Sequence, residues 1–424
     1  MAYSSHGKLP DEHASKLGHL SVVQSQWVQS LIQNFEDTAP SEAECNMSLW
    51  YNFDVSSFKP LKYIWTVDGS YVSVKPNPPS GKEVAFVKIA LLSVDNNKLS
   101  RIDKKNPHPL LLQDIMSDSA LFHATVLPLK NIKTSLGTNY DAIRHIIYDS
   151  IRIDEEGQYF QTLKWLSYKK WEKQQNRSPK FDCPHCGKEV LLTDMIGFNL
   201  DMEEDNASEK VVSSYMLVME HLMLFTIIRL MWDHTDKNIF SDTLFIKDGP
   251  LTLRSQYAKF VPIIREFIEH TKQQKRPIHI IGQEKSGIFC DHLTMVSQYA
   301  CPHQLGDPPS VAVLTHEYVR KEVYRTGELA SPYGSRTNWG EKVYVKLDPD
   351  TALALNIPTG AYNEDLQFPK PDDLVGLGRI IATLPSLISR KYEGALFPVE
   401  LANGVASMSS YPSAKILQQF VDNT

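Results

Sequence analysis

Three carboxylates in this chain stand where an acidic side chain needs a reason to be. Asp68 interrupts the apolar run Tyr63-Ile64-Trp65-Thr66-Val67-Asp68-Gly69-Ser70-Tyr71-Val72. Glu220 lies among Met216, Leu217, Met219, Leu222, Met223, Leu224 and Phe225. Asp248 closes Leu244-Phe245-Ile246-Lys247-Asp248 just before Gly249 and Pro250. Burying a carboxylate in such surroundings is costly unless it is paired or bound to metal. Converging on one site, these groups would offer oxygen ligands to one or two divalent cations, and a two-ion site stabilises the attacking and leaving oxygens of phosphodiester hydrolysis. A metal-activated water then makes a Ser, Cys or His nucleophile unnecessary. Lys285, which follows Pro277-Ile278-His279-Ile280-Ile281-Gly282, could hold the scissile phosphate or its developing charge. Plainer readings stand beside this one. Both Asp-Gly pairs are common turn formers, and Glu220 could pair with an arginine.

The elements that must position these groups are readable in outline. Residues 62–95 read as a β-hairpin: aromatic and β-branched runs flank Pro79, Ser80 and Gly81. The spacing of apolar residues predicts a long helix from about Glu209 to Trp232, a strand over Asp242–Asp248, a helix over Phe260–His270 and a strand over Pro277–Gly282. Strands alternating with helices indicate an α/β sheet. Further strands are expected over Leu121–Leu127, Val311–Leu314 and Val343–Leu347, and helices near Leu20–Ile32, Leu110–Met116, Tyr140–Ile151 and Leu374–Arg390.

Composition narrows the class. The 424 residues are 42% hydrophobic and 22% charged, as expected for a globular chain of one large or two ordinary domains. No stretch reaches the roughly 18 uninterrupted apolar residues of a membrane span. The most apolar segment, Tyr215–Trp232, carries Glu220, His221 and Arg229, and the N-terminus has no apolar signal core. Five cysteines in so long a chain make no disulfide scaffold, which favours a reducing, cytoplasmic location. A net charge of −6 argues against a blanket nucleic-acid binder, but clustered acidic ligands lower the total and a local basic channel suffices for a nuclease.

Two motifs lie between the hairpin and the long helix. Lys164, Lys169, Lys170 and Lys173 interleave with Tyr159, Phe160, Trp165, Tyr168 and Trp171. Bases stack on aromatics while lysines hold phosphates, so this is a candidate DNA-contacting helix, with Arg320 a further cationic candidate. The plainer reading, which we favour, puts the aromatics in the core and the lysines in water. Cys183-Pro184-His185-Cys186-Gly187 has the spacing of a zinc-knuckle half-site. Its remaining ligands are not evident; Cys290, Cys301, His292 and His303 are distant candidates.

In their order along the chain, these features resemble the NurA family of nucleases. The matching elements are Val67-Asp68-Gly69-Ser70, Glu220 in its apolar helix, Ile246-Lys247-Asp248-Gly249-Pro250-Leu251, Gly282-Gln283-Glu284-Lys285 and Tyr411-Pro412. The resemblance implies an RNase H-like mixed sheet flanked by helices, here with a helical, zinc-knuckle-like insertion over 101–210 between core segments 1–100 and 211–424. It implies a DNA nuclease dependent on Mn²⁺ or Mg²⁺, with Asp68, Glu220 and Asp248 as metal ligands and Lys285 and Tyr411 at the active site. It implies a homodimer acting with a HerA-type hexameric ATPase in DNA end processing or anti-phage defence. One departure is plain: Gln418-Gln419-Phe420 stands where the family often has a histidine, with Gln419 as a substitute oxygen donor. The alternative is an adaptor subunit that binds DNA or the ATPase and has lost the chemistry.

Overall fold

A computed structural model describes residues 22, 24–35, 49–75, 81–99, 101–104, 108, 120–153, 157–172, 178–198, 209–301, 304, 306–325, 333–360, 367–392, 394–408 and 412–423. Contacts divide the chain into two compact units, Met1–Cys45 and Asn46–Thr424. Of the first, helix α1 (Gln26–Gln33) is described; Ser25 caps it through its hydroxyl, and it buries none of its residues. Trp27 and Ile32 on this helix are exposed.

The second unit is built on a nine-stranded mixed sheet. In chain order its strands are β1 (Tyr51–Asn52), β2 (Tyr63–Val74), β3 (Glu83–Asp95), β4 (Ala120–Lys130), β7 (Thr243–Asp248), β8 (His279–Glu284), β9 (Ser310–Val313), β10 (Glu341–Asp348) and β11 (Thr351–Ile357); β5 (Lys180–Asp182) and β6 (Glu189–Leu191) pair separately. The spatial order is β1-β9-β10-β11-β8-β7-β2-β3-β4. Strands β2, β3 and β4 form an antiparallel meander; β7 then adds parallel to β2, and β8 parallel to β7. That half of the sheet is the RNase H-like arrangement, and β11, β10, β9 and β1 extend it by antiparallel pairing.

Helices cover both faces. On one lie α2 (Asn139–Ser150), α3 (Gln158–Ser167), α4 (Glu209–Asp233) and α5 (Phe260–Gln273), whose apolar residues share a core with Val67, Ile89 and Phe245. After α6 (Ile288–Val296) come α7 (Leu377–Thr383) and α8 (Phe397–Ala406), packed on the other face against Ile64, Ile246 and Ile281. The chain ends in α9 (Ser413–Asp422). Because β2, β7 and β8 are covered on both sides, they read as nearly continuous apolar runs rather than alternating ones. Helix α4 is long and apolar enough to cross a bilayer, yet 83% of its most apolar window is buried: it is the core helix.

Most expected elements are present within a few residues. The expected 62–95 hairpin is the β2–β3 pair, and the long apolar helix is α4. Segment 101–210 contributes β4, α2 and α3 to this core as well as the small β5–β6 hairpin. The expected helix over Leu110–Met116 falls outside the described residues.

Candidate active site

The three carboxylates lie at one end of the parallel strands, near enough for Asp248 and Glu220 to act on the charge of Asp68. Val67 of β2 is in register with Lys247 of β7, so Asp68 and Asp248 lie one step beyond on neighbouring strands. Side chains alternate across a strand, so both point to the face of α8, while Val67 and Lys247 point to the face of α4. The strand continues through Gly69 to Val74, so Asp68-Gly69 is not a turn. Asp248-Gly249 is not a tight turn either: it ends β7, where Gly249 has φ +84° and its N–H donates across to the Gln283 carbonyl of β8 at 2.7 Å.

Glu220 reaches the site from α4 on the opposite face, and Gly69 makes that approach possible. A Cβ on Gly69 would fall 2.7 Å from Glu220 Oε1 and 2.7 Å from Met216 Cγ. Gly69→Ala must therefore displace the glutamate or the methionine, and overpacking of this kind costs about 1–3 kcal/mol. Denaturant unfolding checks this; an unchanged midpoint would show that α4 yields without cost.

The electrostatics are those of crowded carboxylates short of counter-charge. Asp68 is 5% exposed. Its Oδ1 accepts the Gly69 N–H at 2.8 Å, whereas Oδ2 is buried and has no hydrogen-bond partner among the described residues. Burial, then Asp248, then Glu220 push its pKa up to about 8, against the opposing pull of Lys285 and the Gly69 amide. Glu220 is also pushed up by burial, and Lys247 opposes that. Lys247 is 2% exposed; its Nζ lies 2.8 Å from Glu220 Oε2 and donates to the Asp248 carbonyl at 2.6 Å. Lys285 Nζ lies 2.7 Å from Asp248 Oδ2. The counter-charge to Glu220 is thus a lysine, not an arginine.

The donor chemistry fits a hard divalent cation. Every acidic donor is a carboxylate oxygen, and one buried oxygen has no partner among the described residues. Glu220 and Asp248 meanwhile each hold an ammonium, and among the described residues no three His, Cys, Asp or Glu side chains are grouped as ready ligands.

The other candidates lie elsewhere. Tyr411 falls outside the described residues. Gln419 is exposed on α9, and its neighbour Gln418 donates to the Lys75 carbonyl at 2.9 Å. On α3 and the turn after it, Phe160, Trp165 and Trp171 are buried; Lys164 and Lys170 are half-buried, and Lys169 pairs with Glu266. That is the amphipathic helix with a core-facing aromatic side. Arg320, also half-buried, lies in the helical turn Val319–Tyr324. Cys183 and Cys186 are free thiols on the β5–β6 turn, where the Gly187 N–H donates to the Cys183 carbonyl at 2.8 Å. Gly187 has φ +71°, which explains the glycine without a metal.

Three contributors escaped the sequence reading: Gly69, Lys247 and Gln283. Lys247 carried a visible signal, being a charge in an otherwise apolar buried strand next to a candidate ligand. Gln283 is fully buried; its Nε2 donates to the Gly394 carbonyl at 2.7 Å and its Oε1 accepts the Leu396 N–H at 3.2 Å. Nothing local in the sequence announces that clamp.

No protein-family model and no curated protein matches the chain. Among solved structures it is similar to the NurA nuclease from Sulfolobus solfataricus, with 10% identity, 98% of this chain and 97% of that one covered, and a TM-score of 0.35. It is also similar to a structure of NurA bound to dAMP and manganese, with 11% identity, 98% of each chain covered and a TM-score of 0.30.

Proposed function

We propose that this chain is a metal-dependent DNA nuclease. The observation that carries the reading is the unpartnered, buried Oδ2 of Asp68, set beside Asp248 and Glu220 at the ends of two parallel strands. A fold keeps three mutually repelling carboxylates together at a cost, and a cation would relieve it. The order of motifs in the sequence supports the same reading.

In this proposal Asp68, Asp248 and Glu220 hold Mn²⁺ or Mg²⁺. When bound, the ion supplies Lewis acidity toward the phosphate oxygens and a water of lowered pKa. Lys247 holds Glu220 in place and balances its charge. Lys285, one-third exposed, exchanges Asp248 for a phosphate oxygen and steadies the charge that develops there. The homodimer and the HerA-type motor ATPase belong to the same proposal and rest on the sequence resemblance.

The test is cleavage of linear and circular DNA with Mn²⁺, with and without such an ATPase. Asp68→Ala, Asp248→Ala and Glu220→Gln are each expected to lower the rate by about a hundred- to a thousandfold, as loss of a key electrostatic contact does. Retained cleavage in all three would overturn the reading. A second reading, a non-cleaving adaptor, is favoured by the lysines that already occupy Glu220 and Asp248. Tight binding of DNA or the ATPase, with no cleavage by the wild-type chain in any divalent metal, would establish it.

A further inference from the structure

Beside the carboxylates, an aromatic and cationic rim stands outside everything assigned so far. Lys285 lines two cavities, of about 740 and 570 Å³. The larger is walled by Lys391, Tyr392, Ala395 and Glu400 in addition to Lys285. Its size falls within the range of small-molecule sites and suits a nucleotide. Tyr392 is 52% exposed, and Lys391 Nζ lies 4.9 Å from the centroid of its ring.

This rim is built rather than incidental. The Lys391 and Tyr392 N–H groups donate to Ser389 Oγ at 3.1 and 3.2 Å, and that hydroxyl donates to Glu400 Oε2 of α8 at 2.9 Å. Glu400 Oε1 also lies 3.7 Å from Lys391 Nζ. From below, Gln283 spends both of its side-chain polar atoms on Gly394 and Leu396. Gln283 is in register with Asp248 on β7 and two residues before Lys285. One buried amide therefore ties the segment carrying the aromatic rim to the strand ends carrying the candidate chemistry.

We infer that the Tyr392–Lys391 rim is a nucleotide subsite, which holds the unit of a single DNA strand next to the phosphate at Lys285. The base stacks on Tyr392, and Lys391 leaves Glu400 to meet a backbone phosphate. Stacking on an aromatic face accepts every base, so the subsite confers strand binding without sequence preference. Gln283 is its positioning residue. The inference rests on the nuclease reading for its place beside the scissile bond.

The experiment has two readouts. One is KM and kcat for a short single-stranded oligonucleotide with Mn²⁺; the other is equilibrium binding of the same fluorescent oligonucleotide in EDTA. Tyr392→Ala is expected to raise KM and the dissociation constant by about five- to fiftyfold, the effect of losing one stacked base. Tyr392→Trp should retain binding, and Lys391→Ala should weaken it and flatten its salt dependence. If the wild type cleaves and Tyr392→Ala matches it in both readouts, the subsite is wrong and the nuclease stands. If nothing cleaves but binding still depends on Tyr392, the subsite stands and the nuclease reading falls.

Discussion

Lys247→Met is expected to destabilise the protein by about 3–5 kcal/mol near pH 8, because it leaves Glu220 charged and buried without its ammonium partner. Glu220 is 4% exposed and Lys247 2%, so water does not compensate for the lost ammonium. The sign of the pH dependence follows. Burial already raises the Glu220 pKa, and removing Lys247 removes a group that lowers it. A group whose folded pKa lies above its unfolded value contributes stability that is present at low pH and lost as pH rises through the folded pKa. The Lys247→Met defect should therefore shrink as pH falls, when Glu220 takes up a proton. Lys247→Met combined with Glu220→Gln should recover most of the loss, giving a large coupling in a double-mutant cycle. Urea unfolding at several pH values checks this. Equal stability of wild type and Lys247→Met at pH 8 would show that the pair contributes nothing. The same pair explains why Glu220→Ala is a poor test of chemistry: it strands the ammonium of Lys247, whereas Glu220→Gln keeps an acceptor for it.

Asp68→Asn should separate stability from activity. In the absence of divalent metal, Asp68 retains its proton up to about pH 8 in the folded chain, against an ordinary value of 3.8. The folded state thus binds a proton that the unfolded chain has released, and wild-type stability falls as pH rises from about 4 to about 8. The slope approaches about 1.4 kcal/mol per pH unit inside that window. Asn carries no charge to repel Asp248 and Glu220, and its carbonyl can still accept the Gly69 N–H. The variant should be more stable than wild type in EDTA at pH 8 by on the order of 5 kcal/mol. Its pH profile should be flatter, and DNA cleavage should be abolished. Adding Mn²⁺ should stabilise the wild type and leave Asp68→Asn nearly unmoved. A stability profile identical to wild type across pH 5–9 would mean that Asp68 is neither crowded nor poised for a cation. Such a gain in stability at the expense of function is expected where a fold stores repulsion at a working site.

The sequence alone determined the elements and the identity of the acidic groups. Apolar period and turn residues set β2, β3, α4, β7 and β8 close to their observed bounds, because long, strongly periodic segments bury one face or both and leave little choice. Carboxylates inside such segments stood out because burying them unpaired is expensive. Only the tertiary structure decided what each group meets. The register of β2 against β7 places Asp68 beside Asp248, and no local pattern encodes the pairing of strands so far apart in the chain. The sheet also showed what the two Asp-Gly pairs are, one lying within a strand and the other ending a strand with its glycine bridged to Gln283. The gap at Gly69 admits Glu220 from the opposite face, and Lys247 rather than an arginine supplies the balancing charge. Gln283 clamps Gly394 and Leu396 across more than a hundred residues of chain. Local sequence reports the cost of burying a polar group. Its partner is a matter of three-dimensional proximity, which only the packed sheet and helices create.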